Sequence, residues 1–341
     1  MEVREEVHLA AVGSSAPRAH LSPLVGIPLA VAAGLAIPLQ GRVNGALGAR
    51  LDDGIAAAVV SFTVGLLIMA AISLLIPSGR AGLAAILPAI RARKFPPWYL
   101  LAGVIGAFFV MSQGLTISVL GVALFTVSTV TGQMASGLLV DRLGMGPAGK
   151  RRITGMRVLG AVLTVAAVVW AVSPRLGDGP GVGNLLLPLL LPVAAGFLQS
   201  FQQAMNGTQT LHYGTPITAT FVNLLTGSVV LWIAWLAKAG LAGAGNPLPG
   251  EWWYYLGGPL GCIYIGVGAV LVRSLGILLT GLGLIAGQLL GSLALDLVLP
   301  TPGSQVAVAT VLGTLLTLAA IVVATLPWPR VVRRSVGKQG P

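Results

Sequence analysis

Eight amide side chains stand out in or beside apolar runs that carry very few charged groups. Gln40 and Asn44 are four residues apart and share one helix face, and Gln202 and Asn206 repeat the spacing. Gln133 and Gln288 each fall nearer the middle of a further run, and Gln199 and Gln203 add a second polar pair beside Gln202. An amide both donates and accepts hydrogen bonds, and inside hydrocarbon it needs a protein partner or a wet cavity. Two roles follow. Either these amides line a cavity and bind a polar solute, or they tie helices together. Asp141 and Asp296 are carboxylates at corresponding ends of two apolar runs. A carboxylate there acts as a gate or carries a coupling proton, or it closes a helix end and pairs with a neighbour such as Arg142. Arg42 either attracts anions or snorkels to the interface.

Other chemistries are poorly supplied. His8, His20 and His212 are the only histidines and none is mid-run, so neither an imidazole metal site nor a histidine-based triad assembles. Nine Asp and Glu are too few for a hard-cation cage, and no phosphate-binding glycine-lysine loop occurs. No nucleophile–base pair can be named, so no enzyme activity, metal or cofactor is expected. The one cysteine, Cys262, lies in an apolar run and reads as a packing residue; alone, it forms no intramolecular disulfide.

The elements that must position the amides follow from composition. The 341 residues are 55% hydrophobic and only 9% charged, against roughly 25% charged in soluble domains. So few charges cannot cover a water-exposed surface, and the medium around most of the chain is a lipid bilayer. Runs long enough to cross it, about 18–22 residues each, fall near 22–41, 55–77, 97–118, 120–140, 155–173, 185–205, 216–237, 252–272, 274–295 and 305–327. The breaks at Ser118–Gly121 and at Arg273–Ser274 are very short, but merged helices would overshoot the membrane. The first run is longer than the apolar part of a signal peptide, so an uncleaved span is expected.

The net charge of +11 does not indicate nucleic acid, because the cations lie in the gaps between runs. Of the 20 Lys and Arg, sixteen fall on the side of the N-terminus and four (Arg42, Arg50, Arg175 and Lys238) on the other. That bias predicts both termini in the cytoplasm.

The chain is duplicated. Ala32–Gly65 lies over Ala194–Gly227 at a constant offset of 162, matching Gly34 to Gly196, Gln40 to Gln202 and Asn44 to Asn206. Trp98–Asp141 lies over Trp253–Asp296 at an offset of 155, matching Gly103 to Gly258, Gln133 to Gln288 and Asp141 to Asp296. Five spans per half is an odd number, so the second half enters the membrane from the opposite side. The expected fold is an all-α integral membrane protein of about ten transmembrane helices in two inverted-topology five-helix repeats, an architecture of secondary transporters. Residues 1–21 form a cytoplasmic N-terminal tail, 22–174 the first repeat, 175–328 the second, and 329–341 a basic cytoplasmic tail.

Pro38-Leu39-Gln40 with Asn44, and Thr131-Gly132-Gln133 followed by Leu138-Leu139-Val140-Asp141, resemble the YdcZ-type (DUF606) proteins of the drug/metabolite transporter superfamily. Ala286-Gly287-Gln288 and Leu293-Ala294-Leu295-Asp296 repeat the second pattern. The second half departs at Ser200, which stands over Pro38, and at Leu297-Val298-Leu299, which stand over Arg142-Leu143-Gly144. The resemblance implies a transporter in the cytoplasmic membrane of a prokaryote, a fused form of a family in which one chain often supplies one half. The expected function is secondary transport, in the efflux direction, of a small organic metabolite or drug by alternating access. Its sites would be Gln40, Asn44, Gln133, Gln202, Asn206 and Gln288, with Asp141 and Asp296 gating or coupling. The alternative is a membrane scaffold or sensor subunit without transport. Partners are a small-molecule substrate and lipid; the chain is a monomer or homodimer.

Overall fold

A computed structural model describes residues 22–146, 149–150, 152–177, 182–275, 277–301, 304 and 306–325. Both expected tails lie outside the described residues. So do the side chains of Arg175 and Arg273 and the cations Arg4, Arg18, Arg151, Arg330, Arg333, Arg334 and Lys338, on which part of the charge count rests.

The described elements are α-helices and two short 3₁₀ turns. The first span is two helices, α1 (Pro23–Gly34) and α2 (Ala36–Leu51), broken at Leu35. Pro38 has no N–H to offer the Gly34 carbonyl, so the helical ladder is interrupted one turn before it. Next come α3 (Gly54–Leu75), α4 (Pro77–Arg91), α5 (Ala102–Leu120), α6 (Val122–Leu143) and α7 (Gly155–Gly177). The second half supplies α8 (Val182–Tyr213), α9 (Pro216–Ala242), α10 (Gly257–Leu275), α11 (Ile277–Val298) and α12 (Val308–Thr325). Eight helical stretches among the described residues are long and apolar enough to cross a membrane. With α8, longer but rich in amides, and the 19-residue α10, they make about ten.

The short break expected at Ser118–Gly121 is a real end, whereas α10 runs through Arg273–Ser274 to Leu275 and the residue between α10 and α11 lies outside the described residues. Asp52 ends α2 in the left-handed region, and Asp53 starts α3 by accepting from the Ile55 and Ala56 N–H groups at 3.0 Å each. Gly121, at φ 79°, turns the chain between α5 and α6, a backbone geometry that disfavours other residues. Pro216 at the first position of α9 follows the cap Thr215. One element has no counterpart among the expected spans: α4, in the connection between the second and third. It packs over the ends of α8 and α9, with Gly82 against Thr215 and Thr218.

Corresponding helices of the two halves pair with each other: α3 with α9, α6 with α11, and α7 with α12. The first span of each half crosses into the other half, α1 lying on α11 and α8 on α6. Matched glycines make these crossings. A Cβ on Gly34 would stand 2.2 Å from the Leu284 carbonyl oxygen, and one on Gly196 would stand 1.9 Å from that of Thr129. Lys238, in the last turns of α9, reaches Asp53, the cap at the start of α3, at 2.8 Å. Equivalent helices therefore run antiparallel, and the two repeats are inverted.

Candidate functional site

The pseudo-symmetric packing leaves a cavity of ≈ 130 Å³ near the middle of the helices, bordered by α2, α3 and α5 of one half and α8, α9 and α10 of the other. Amides dominate its polar surface. Gln40 is 6% exposed and donates to the Gly257 carbonyl at 3.0 Å. Across the cavity, Gln202 donates to Asn223 Oδ1 at 3.3 Å, and Asn223 Nδ2 donates to Asn206 Oδ1 at 3.2 Å. Gln199 and Gln203 also face the space, with Ser61, Thr220 and the Tyr264 ring. Phe62, Phe109, Ile37 and Leu224 supply apolar wall.

The sequence-matched pair Gln40 and Gln202 is thus brought to one cavity, together with Asn206. Asn44 stands just behind it, fully buried, donating to Gln113 Oε1 at 2.8 Å. Gln288 also lies behind the wall and donates to the Tyr264 hydroxyl at 3.0 Å, so it holds a lining residue rather than lining the space itself. Gln133 bonds Gln199 and faces a separate cleft of ≈ 230 Å³ between α6, α7, α11 and α12. That cleft is larger, but among the described residues Gln133 and Arg157 are its only strongly polar lining, so the central cavity is the better candidate.

Neither carboxylate lines the central cavity. Asp141 pairs with Arg157 of α7 rather than with Arg142 beside it. Residues adjacent on a helix point about 100° apart, whereas Arg157 reaches across from the packed neighbour. Asp296 is 4% exposed and accepts from the Val122 and Ala123 N–H groups at 3.0 and 2.8 Å, closing the N-terminus of α6. An anion suits that end of a helix. Arg42 donates to the Pro300 carbonyl at 3.4 Å, away from the cavity.

Asn223, Tyr264 and Cys262 do not stand out as site residues in the sequence. Asn223 lies over Ser61 at the offset of 162, so a polar residue occupies this position in both halves, and that signal could have found it. Cys262 carries no such signal, since nothing local tells a lining thiol from a packed one.

The two halves are not in the same conformation. α2 packs closely on α5 through Gly41, Gly45 and Gly48. A Cβ on Gly48 would stand 2.3 Å from the Gly114 carbonyl oxygen, and Cβ atoms on Gly41 and Gly45 would meet Ile117 at 2.8 and 2.7 Å. The Asn44–Gln113 bond closes this seam. At the equivalent positions α8 has Gln203, Gly207 and Thr210, and α10 has Gly268 where α5 has Gln113. No packing of comparable extent joins α8 to α10 among the described residues. On this side an apolar cleft of ≈ 310 Å³ between α3, α9 and α10 shares Thr220, Cys262 and Ile265 with the cavity and extends to Ile72 and Pro216 at helix ends.

The end beyond the closed seam is held together by contacts between halves. Besides the Lys238–Asp53 pair, Asn246 donates through its backbone to the Leu51 carbonyl at 2.9 Å and through its side chain to the Arg50 carbonyl at 3.1 Å.

Fold and site together define a polytopic membrane protein of two inverted five-helix repeats around a central polar cavity, the architecture of secondary transporters. The chain belongs to the family described as "Putative inner membrane exporter, YdcZ", whose model matches residues 25–170 and again 187–323. The family is one of membrane transport, not of enzymes, and the chain is a multi-pass inner-membrane protein. No curated protein matches it.

Proposed function

We propose that the protein is a secondary transporter that exports a small organic solute, binding it in the central cavity and alternating its access between the two membrane faces. The observation that carries this reading is the unequal state of two equivalent seams around one cavity, α2–α5 made and α8–α10 not. An inverted repeat can exchange those states, so that the first seam opens as the second closes. Gln40, Gln202, Asn206 and Asn223 are the contact residues; Asn44, Gln133 and Gln288 hold the walls. Asp141 and Asp296 hold helices in place. With both termini in the cytoplasm, as the Lys and Arg bias predicts, the unmade seam faces the cytoplasm, as the loading state of an exporter requires. A scaffold would have no use for a cavity bordered by both halves.

The test is a reversible lock on the closed end. Arg50→Cys and Asn246→Cys are combined with Cys262→Ala, and the two thiols are joined by a reducible bis-methanethiosulfonate linker. A solute that raises the thermal stability of the purified protein is then loaded into proteoliposomes. Its release should stop on linking, return on reduction, and leave binding in place throughout. Release that continues with the link intact rules out alternating access. A broad solute library in which nothing stabilises the protein favours the scaffold.

A further inference from the structure

We infer that the cavity takes an uncharged solute, with hydrogen-bond donors and acceptors on one edge and apolar surface on another, and that its translocation carries no net charge. This rests on the transporter reading and names the cargo class of that same site.

Three observations point there independently of the family. First, no described side chain lining the cavity or the cleft continuous with it is charged. An ion bound there would lose its hydration with no opposite charge to replace it. Second, the polar lining is made of amides, each with both donor and acceptor atoms. The Gln202–Asn223–Asn206 chain uses one atom of Gln202 and one of Asn206, leaving the Gln202 oxygen and the Asn206 nitrogen for a ligand. A free donor and a free acceptor on the same wall complement an amide, lactam or heterocycle edge, whereas a carboxylate or an ammonium would satisfy only one kind of them. Third, the cleft leading away has an apolar wall, with Thr220 and Cys262 as the only polar side chains among the described residues that line it. A solute passing it must tolerate apolar surroundings, and Phe62 and Phe109 line the cavity at its end.

The carboxylates do not restore a charge to the transport cycle. Asp141 is neutralised by Arg157, and Asp296 is spent on two backbone N–H groups of α6. Neither borders the space the solute occupies.

An isosteric series isolates charge from shape. Benzamide, benzamidine and benzoate have nearly the same outline, and at neutral pH they are neutral, cationic and anionic. The full-length protein in nanodiscs is treated with N-ethylmaleimide, which reports on Cys262, the chain's one thiol, in the cavity wall. Benzamide should slow labelling several-fold and give saturation-transfer signals, while benzamidinium and benzoate do neither. Gln202→Leu should weaken the benzamide effect about 5–10-fold, as expected for one lost hydrogen bond, with the thermal transition kept as the check on folding. In proteoliposomes, benzamide release should be unchanged by an imposed potassium diffusion potential or pH gradient. Protection by either ion at benzamide's strength, no protection by benzamide, or release that follows the potential would each overturn the inference. These outcomes leave the transport reading standing if the Arg50–Asn246 lock still controls release; if the lock fails, that reading falls instead.

Discussion

Asn223 is the hinge of the polar network, since it accepts from Gln202 and donates to Asn206. Asn223→Leu would strand both partners, at a cost of about 1–3 kcal/mol. The expected outcome is a lowered thermal midpoint together with lost solute protection of Cys262, whereas Asn223→Gln should recover part of the stability but not the geometry of the site. Asp296 behaves differently. Asp296→Ala removes the acceptor for two N–H groups of α6, a loss of about 0.5–2 kcal/mol, while Asp296→Asn keeps one acceptor oxygen and should fall between. The pH profile of transport should be the same in Asp296→Asn as in the wild type; a profile displaced by this variant would restore the coupling role that its position at a run end suggests. Sequence does not carry the distinction. A carboxylate at a helix end looks the same whether it faces a passage or a neighbouring helix, and only the placement of Val122 and Ala123 against Asp296 separates the two.

At the scale of the element, the seam between α2 and α5 depends on the absence of side chains. Gly48→Leu would force the helices apart against the Gly114 backbone, an overpacking cost of about 1–3 kcal/mol. Because the alternative state separates those helices anyway, the variant should favour it. A lower yield of the Arg50–Asn246 cross-link, with little loss of overall stability, is the expected result. Equal loss of both would mark the glycine as needed in either state. Duplication alone makes Gly34 and Gly196 legible as a pair, and they do occupy equivalent crossings. The α4 helix is not legible in that way. Its residues are neither long enough to span nor regularly polar, and its place over the ends of α8 and α9 comes from packing of Gly82, Ile86 and Ile90 against elements more than a hundred residues away.

Across the whole molecule, a cross-half ion pair sits at the closed end. Lys238 is partly exposed, and the Asp53 side chain is 2% exposed. Lys238→Gln leaves the buried Asp53 carboxylate without its cation and should cost about 1–3 kcal/mol in the state in which that end is shut, and so bias the two access states, since the pair joins the halves there. Faster solute release from proteoliposomes would mark it as a latch. No change in release would make it a structural pair of no consequence for transport.

Composition, span length and the doubled pattern were sufficient for the medium, the approximate number of spans and the inversion of the two halves. Each of those follows from properties that are summed along the chain or compared between its halves. The amides were legible as candidates for the same reason, being scarce polar groups at matched positions. Which of them meet was decided only by tertiary structure. Gln40, Gln202 and Asn206 reach one cavity, while Gln133 faces another cleft and Gln288 stands behind Tyr264. Helix rotation and crossing set which face of a span meets which neighbour. A break such as Leu35, and glycines that permit backbones to touch, fix that rotation through contacts far apart in sequence. The unequal seams are likewise invisible in sequence, because two nearly equivalent halves are compatible with either assignment and one conformation holds only one of them at a time.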